Sequence, residues 1–448
     1  MERAMHQQAK QQGAASTNEA ANDRARTMKF KPVNLARWLI WSTTALVMIV
    51  LPLIWPQGFA ITLLSQMGIM IIFALSYNML LGQSGMLSFG HAVYAGLGAF
   101  MAVHLLNKIG AMQTLGVAGP LAVALLPIVG GLGGALFGVI FGYVTTKKAG
   151  TTFAMITMGI GEMVFASALM FPDFFGGEGG VSTNRSIGDA LAGVSFGPAR
   201  QVYYLIAAWC LISMALMYAW TQTPLGRIAN AVRDNPERVE FIGYNTQRVR
   251  FLVVILSAFF AGIAGALSCI NFEIVTAENV SAVRSGAVLL AAFIGGMGSF
   301  FGPIIGAVLT VFFTVALSGI TKAWLLYLGL FFVLMVMYAP GGIASLLVMH
   351  LPIARRGKLK TLLPAYSVAF VPAAILLVAL ISTVEMIYAV QDEGSGGVAT
   401  LFGMSVAPTT WMPWVVTAAL WLVGAFGLRT ATGKLRTAWD NALQEPQP

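Results

Sequence analysis

Two Gly-Lys pairs, Gly357-Lys358 and Gly433-Lys434, are the places where a nucleotide phosphate could be held. A phosphate-cradling loop reads GxxxxGK[ST], so that backbone N–H groups, a lysine and a hydroxyl converge on the phosphates and their Mg2+. Here each pair is followed by Leu and lacks the upstream Gly. No HExxH, no GxSxG and no clustered cysteines occur, and His6, His91, His104 and His350 fall at no metal-ligand spacing. The expectation is a chain that binds no cofactor or metal and carries no catalytic residues. An intramembrane enzyme would need a nucleophile–base pair or a metal pair at depth, and none is evident.

Chemistry of a second kind remains, in polar side chains set inside apolar runs. Glu162 interrupts TTFAMITMGIGEMV (151–164), and His91 follows Gly90 in GQSGMLSFGHAVYAGLGAF (82–100). A charged group at bilayer depth is costly, so it is protonated, paired or turned to a cavity. Glu162 is accordingly either a pathway or gate residue or one partner of an interhelical hydrogen bond that fixes packing. His91 is either a substrate contact or an imidazole satisfied by a backbone carbonyl. Asn78, Ser84, Ser88 and Thr157 carry hydroxyl or amide groups suited to a zwitterion. Half-helix ends near Gly85 and Gly298 could add N–H groups and dipoles. Glu385 reads as an interface marker and Lys322 as a snorkelling surface residue.

Membrane helices must hold these groups in place. The chain is 58% hydrophobic and 10% charged, with a mean hydropathy of +0.79, against roughly 45–50% apolar for soluble domains. Expected spans are 38–55, 59–81, 85–106, 117–143, 151–171, 201–219, 251–272, 301–319, 323–348, 364–390 and 411–428, with a shorter apolar piece at 286–297. The fold class is an all-α integral membrane protein, a polytopic bundle of about ten to twelve transmembrane helices with glycine-broken or re-entrant segments. Cys210 and Cys269 fall inside spans and read as packing thiols. The first 28 residues hold no apolar h-region, so no cleavable signal peptide is expected.

With the N-terminus inside, five segments face the cytoplasm: 1–37, 144–150, 220–250, 349–363 and 429–448. They hold 21 of the 26 Lys and Arg residues. That is the positive-inside rule, and it accounts for the basic excess without nucleic acid. Lys108, Arg185, Arg200, Arg284 and Lys322 are left to external loops or span ends. The parity requires 286–297 and 301–319 to return the chain to the side it came from, broken by GGMGSFFGP (295–303). Non-helical backbone at membrane depth is tolerated where it is buried in protein or lines a wet cavity. Gly130, Gly134, Gly138 and Gly142 form a four-residue ridge along 117–143, a surface for close helix packing.

One stretch is out of character. AVRDNPERVEFIGYNTQRVR (231–250) has seven charged residues among its twenty. Asn235-Pro236 is a helix start and Gly243 a stop, giving about two turns that carry Glu237, Arg238 and Glu240, with Val239 and Ile242 on another side. Asn245 can cap the next span. The stretch is either a solvated loop or a docking surface, and a helix this short needs something to pack on.

TPLGRIANAVRDNPERVEFIGYNTQRVRFLVVILSAFFAGIAGAL (223–267) resembles the permeases of bacterial ABC importers for branched-chain amino acids, in particular the M-type subunit that pairs with a shorter H-type permease. NMLLGQSGMLSFGHAVYAGLGAFMA (78–102), TTFAMITMGIGEMV (151–164), FIGGMGSFFGPIIGAVL (293–309) and YAPGGIASLL (338–347) extend the likeness over 59–348. The resemblance implies a coupling helix, from roughly Asn230 to Gly243, inserted into a groove of an ATPase. It carries Asn230, Ala231, Arg233, Asp234, Glu237, Glu240 and Gly243.

The resulting expectation is a bacterial inner-membrane permease subunit, multi-pass, with both termini cytoplasmic. Two ABC ATPase subunits would use the ATP, a second H-type permease would complete the pore, and a periplasmic solute-binding protein would dock at 172–200 and 273–284. Substrate-pathway candidates are Asn78, Gly85, Ser88, His91, Thr157, Glu162 and Gly298. Its parts are a polar arm (1–37), a transmembrane domain (38–348) with its coupling loop (220–250), a basic linker (349–363) and a C-terminal extension (364–448) with two further spans. The rival is an ion-gradient-driven secondary transporter or channel, for which Glu162 would be the coupling carboxylate.

Overall fold

The computed structural model describes residues 35–112, 116, 118–355, 359–391, 399–401 and 403–444. The chain divides into two units, Met1–Trp55 and Pro56–Pro448. In the first, α1 (Leu35–Ile54) is an apolar helix; the rest of the polar arm, through Asn34, lies outside the described residues.

In the second unit the apolar runs become helices because lipid offers backbone groups no other partner. They are α2 (Gly58–Ser84), α3 (Ala92–Gly110), α4 (Ala118–Thr145), α5 (Thr151–Met170), the single turn α6 (Pro172–Phe175) and α7 (Ala199–Gln222). Two short helices follow, α8 (Pro224–Asp234) and α9 (Pro236–Phe241), and then α10 (Thr246–Phe272). Next come α11 (Ala282–Gly295), α12 (Gly302–Val311), α13 (Trp324–Tyr338), α14 (Gly342–Arg355), α15 (Leu359–Gln391) and α16 (Trp411–Gln444).

The core is built around α10. The glycine ridge of α4 lies along it, antiparallel, within this one chain. A Cβ at Gly142 would sit 3.0 Å from Val254, one at Gly138 2.8 Å from Ala258, and one at Gly134 3.0 Å from the Gly262 Cα. Gly98 brings α3 into the same seam, where a Cβ would be 2.7 Å from the Gly262 Cα. At Gly98, Gly134 and Gly262 backbones meet with no side chain between them, which is how small residues let membrane helices approach.

α11 and α12 form the doubled-back pair that the charge parity requires. At 14 and 10 residues they reach about 21 and 15 Å at 1.5 Å per residue, short of a ~30 Å hydrocarbon core. Gly295 and Gly306 let them close on each other, a Cβ at Gly306 lying 2.7 Å from the Gly295 nitrogen. The Ser299 hydroxyl accepts the Gly302 N–H at 3.0 Å. α12 then leaves α geometry for one π turn, Phe312–Leu317.

Among the described residues eight helices are long and apolar enough to cross a membrane, or nine if α13 and α14 count as one. The span read at 323–348 is that pair, bent by 44° where Ala339-Pro340-Gly341 interrupts it. Pro340 has no N–H to continue the ladder, and Gly342 follows at φ 73°. Three shorter apolar stretches, residues 39–54 of α1, α11 and α12 with its π turn, stand outside that count.

The linker read at 349–363 is largely helical: α14 runs to Arg355 and α15 starts at Leu359. The extension is a hairpin of α15 and α16, whose connection holds a two-stranded ribbon of β3 (Ala399–Leu401) and β4 (Met404–Val406). Glu385 ties it to the core, its Oε1 accepting hydrogen bonds from Thr321 Oγ1 at 2.7 Å and Tyr327 Oη at 2.9 Å. At the other end His350 Nε2 lies 2.7 Å from Tyr366 Oη, and the imidazole meets the Trp439 ring edge-on at 5.1 Å.

Candidate transport site

Four of the sequence candidates gather at the break between α2 and α3. The chain is non-helical from Gly85 to Gly90, and it passes through the protein interior. The Tyr77 hydroxyl donates to the Ser88 carbonyl at 3.0 Å, and the Phe89 N–H donates to Thr157 Oγ1 at 3.2 Å. The Ala92 N–H donates to Ser285 Oγ at 3.0 Å, which brings in α11. His91 is fully buried, with Nε2 2.9 Å from the Ser76 hydroxyl and its ring stacked on Phe73 at 5.4 Å. Its partner is therefore a hydroxyl, where the sequence suggested a carbonyl. Gly90 is a close-approach glycine, since a Cβ there would strike the Thr157 carbonyl. Asn78 Oδ1, Ser88 Oγ and His91 Nδ1 are buried with no hydrogen-bond partner among the described residues.

Gly85 does another job. It caps α2 at φ 69°, its N–H donating to the Leu81 carbonyl at 3.1 Å while the Met86 N–H donates to the Leu80 carbonyl at 2.9 Å. This is a closed helix C-terminus, so it offers no free N–H groups. Gly298 stands at the tip between α11 and α12, with nothing within 4 Å of an added Cβ.

Glu162 is placed apart from the others. It lies on the exposed face of α5 with Met155, Met158 and Met163, whereas Thr157 on the same helix is buried. It makes no hydrogen bond or ion pair with the described residues.

A cavity opens into the bundle at residues that sequence reasoning missed. It has a volume of about 560 Å3 and lies among α2, α10, α11 and α12, with Gln66, Phe73, Ser268, Glu278, Arg284 and Thr310 on its wall. The charge count leaves Arg284 to an external loop or a span end. The residues that place it are local: Ser281 Oγ accepts the Arg284 N–H at 3.3 Å, capping α11, so Arg284 lies in that helix's first turn. Ser281 directly before the apolar run AVRSGAVLLAAFIG, a helix-start signal, was the available sign.

On the outer loops, β1 (Val181–Ser182) pairs with β2 (Ile274–Val275), antiparallel, joining 172–200 to 273–284. Arg185 locks the joint. Its Nε donates to the Phe196 carbonyl at 2.8 Å, its Nη2 to Gly197 at 3.1 Å and its Nη1 to Asn271 at 3.2 Å, with Glu273 Oε2 3.6 Å away.

The charged island folds as two helices: the second starts at Asn235-Pro236 and ends before Gly243 as the residues suggest, while the stretch from Asn230 to Gly243 that the resemblance implies takes in the end of the first as well. Asn235 divides them: it ends α8, and its Oδ1 accepts the Arg238 N–H at 3.0 Å to start α9. Gly243 ends the unit at φ 91°, and Asn245 caps α10 through the Arg248 N–H at 3.0 Å. The pair is fastened beneath α2. Asn230 Nδ2 donates to Gln83 Oε1 at 2.9 Å, and Arg233 Nη1 donates to the Gly82 carbonyl. Asp234 Oδ1 accepts from Arg233 Nε at 2.9 Å, and Glu240 Oε1 accepts from Thr246 Oγ1 at 2.7 Å. Val232 and Val239 turn inward, whereas Ala231, Glu237, Phe241 and Ile242 face outward, Phe241 being 89% and Ile242 67% exposed. Val239 and Ile242 were expected to share a side and do not.

The sequence profile of a family described as branched-chain amino acid transport system, permease component, matches residues 59–340, from the start of α2 to the bend after α13. The chain belongs to that family. The permease is 28% identical over 299 residues to the high-affinity branched-chain amino acid transport system permease protein LivM of Escherichia coli, a match covering 61% of this chain and 67% of that one. It is 28% identical over 204 residues to the fructose import permease protein FrcC of Rhizobium meliloti, covering 43% and 55%. It is 21% identical over 255 residues to the permease protein LivH of Salmonella typhimurium, covering 53% and 78%. No solved structure matches the permease significantly.

Proposed function

We propose that the permease is the M-type membrane subunit of an ABC importer for branched-chain amino acids in a bacterial inner membrane. An H-type permease pairs with it, two ATPases drive it through α8 and α9, and a periplasmic binding protein delivers solute to the joined outer loops. Both chain ends face the cytoplasm in this arrangement. The LivM name of its relatives supports the solute. The observation that carries the coupling is the outward pair Phe241 and Ile242 at the tip of a charged helix unit pinned to Gly82 and Gln83 of α2. Exposed aromatic and aliphatic groups amid charge suit a partner's groove. A push on the tip is passed to the end of α2 that borders the non-helical break.

Affinity purification of the tagged, full-length chain from native membranes tests this directly. ATPase subunits should come down with it, and Phe241→Glu with Ile242→Glu should lose them while membrane abundance holds. A chain that purifies alone, with solute uptake that collapses when the proton gradient is dissipated, would overturn the reading in favour of an ion-coupled transporter.

A further inference from the structure

Arg284 and Arg185 are both partly buried, and their surroundings differ sharply. The Arg185 guanidinium is enclosed by backbone carbonyls and a carboxylate. The Arg284 side chain makes one hydrogen bond among the described residues, a long one of 3.4 Å from Nη2 to Ser268 Oγ. A guanidinium has five N–H donors in a rigid fork that matches a carboxylate. Set within the bundle with most of them unused, it is costly unless something of opposite charge reaches it.

Glu278 lines the same cavity from the 3-10 turn Ala277–Val280. It is exposed, whereas Arg284 lies deeper, and the two form no ion pair. One cavity thus presents an anion at its rim and a cation within, not neutralising each other. Between and beyond them the wall is apolar, with Ile69, Met70, Val311 and Trp324. The π turn begins directly after Val311 and places Thr314 on that wall, and such turns frequently accompany functional sites. A volume of about 560 Å3 lies within the ~300–1,000 Å3 usual for small-molecule sites.

We propose that this cavity is a binding station for an amino-acid zwitterion, with Arg284 taking the α-carboxylate, Glu278 the α-ammonium, and Ile69, Met70, Val311 and Trp324 the aliphatic side chain. This assignment rests on the importer reading and narrows it to a ligand bearing both charges. A sugar, urea or neutral amide would leave the Arg284 guanidinium uncompensated within the bundle, and leaving such a partner unpaired is how polar sites reject near-isosteres.

The test uses the full chain in its assembled transporter, in membranes open to both faces, with leucine as the probe. Ala287→Cys places a thiol on the cavity wall, and the native Cys210 and Cys269 are buried. Leucine should slow alkylation of that thiol by a charged maleimide. Isopentylamine and 4-methylpentanoate, each lacking one charge, should need at least about ten-fold higher concentration for equal protection. R284Q should abolish protection while the unliganded alkylation rate stays the same, and R284K should recover part of it. If R284Q does not reach the membrane, E278Q on the exposed rim decides alone. Unchanged alkylation in leucine, or equal protection by the single-charge analogues, overturns the site. Uptake measured in parallel separates the two claims. ATP-driven uptake without protection removes the station and leaves the importer. Protection with uptake powered by the proton gradient removes ATP coupling and leaves the station.

Discussion

Gly262 turns to α4, while Gly98 of α3 closes on its Cα. A Cβ at Gly262 would meet the Gly130 carbonyl carbon at 2.8 Å and the Gly131 Cα at 3.1 Å, and backbone cannot swing aside as a side-chain tip can. Gly262→Val should therefore force α4 off α10. The loss is at or beyond the upper end of the ~1–3 kcal/mol typical of overpacking, and it should appear as reduced membrane abundance and a lower unfolding midpoint in detergent. Gly298→Ala is the control, because open space surrounds it, and it should leave both unchanged. Arg185 makes the opposite kind of residue-scale argument. Arg185→Met keeps the stem but removes the donors to Phe196, Gly197 and Asn271. At ~0.5–1.5 kcal/mol per hydrogen bond the outer loops should loosen by a few kcal/mol. Faster protease nicking within 184–198, with the membrane core intact, is the expected reading. Nicking at the wild-type rate would mean the loops hold without it.

Among the elements, α9 is the one whose stability can be changed without touching the membrane. Asn235→Ala removes the side-chain cap from Arg238, a change worth about 1 kcal/mol. If the unit couples to ATPases as proposed, this change should weaken their retention less than Phe241→Glu does, since the cap sets the helix and the exposed ring would make the contact. Equal loss from both would place the binding energy in helix order. Glu237 is the cleaner charge to reverse, because Glu240 also holds Thr246 within the chain. The start of α9, its glycine stop and the cap of α10 were all legible in the sequence, since capping is decided by side chains a few residues away. The ridge on α4 was legible for a similar reason: four-residue spacing is a surface property of one helix. The role of Gly85 was not, because a glycine that ends a helix and one that opens a backbone read alike. Arg284 was missed because the cavity around it is closed by α10 and α12 on either side in the chain and by α2 far before it, a packing that the residues next to it do not report. Glu162 could be located in its span, but not the face it turns, since GIGEMV has apolar or small neighbours on every side.

At the scale of the whole molecule, the family match stops at residue 340 and the α15–α16 hairpin lies beyond it. Polar ties join that hairpin to the rest at its two ends, through Glu385 and through His350 with Tyr366. Truncation after Arg355 should leave uptake within about two-fold while lowering the unfolding midpoint by several degrees, the scale of a few kcal/mol lost from a large domain. Complete loss of uptake in a chain that still inserts would give the hairpin a part in transport itself. The seam of α3, α4 and α10 has a different bearing on movement. Where these helices mesh backbone to backbone, at Gly98, Gly134 and Gly262, no flexible side chain can act as a bearing, and a slip of one residue, about 1.5 Å, would drive backbone into backbone. These three helices thus form the fixed frame of a machine, and any travel in its cycle is carried by the parts hung upon it.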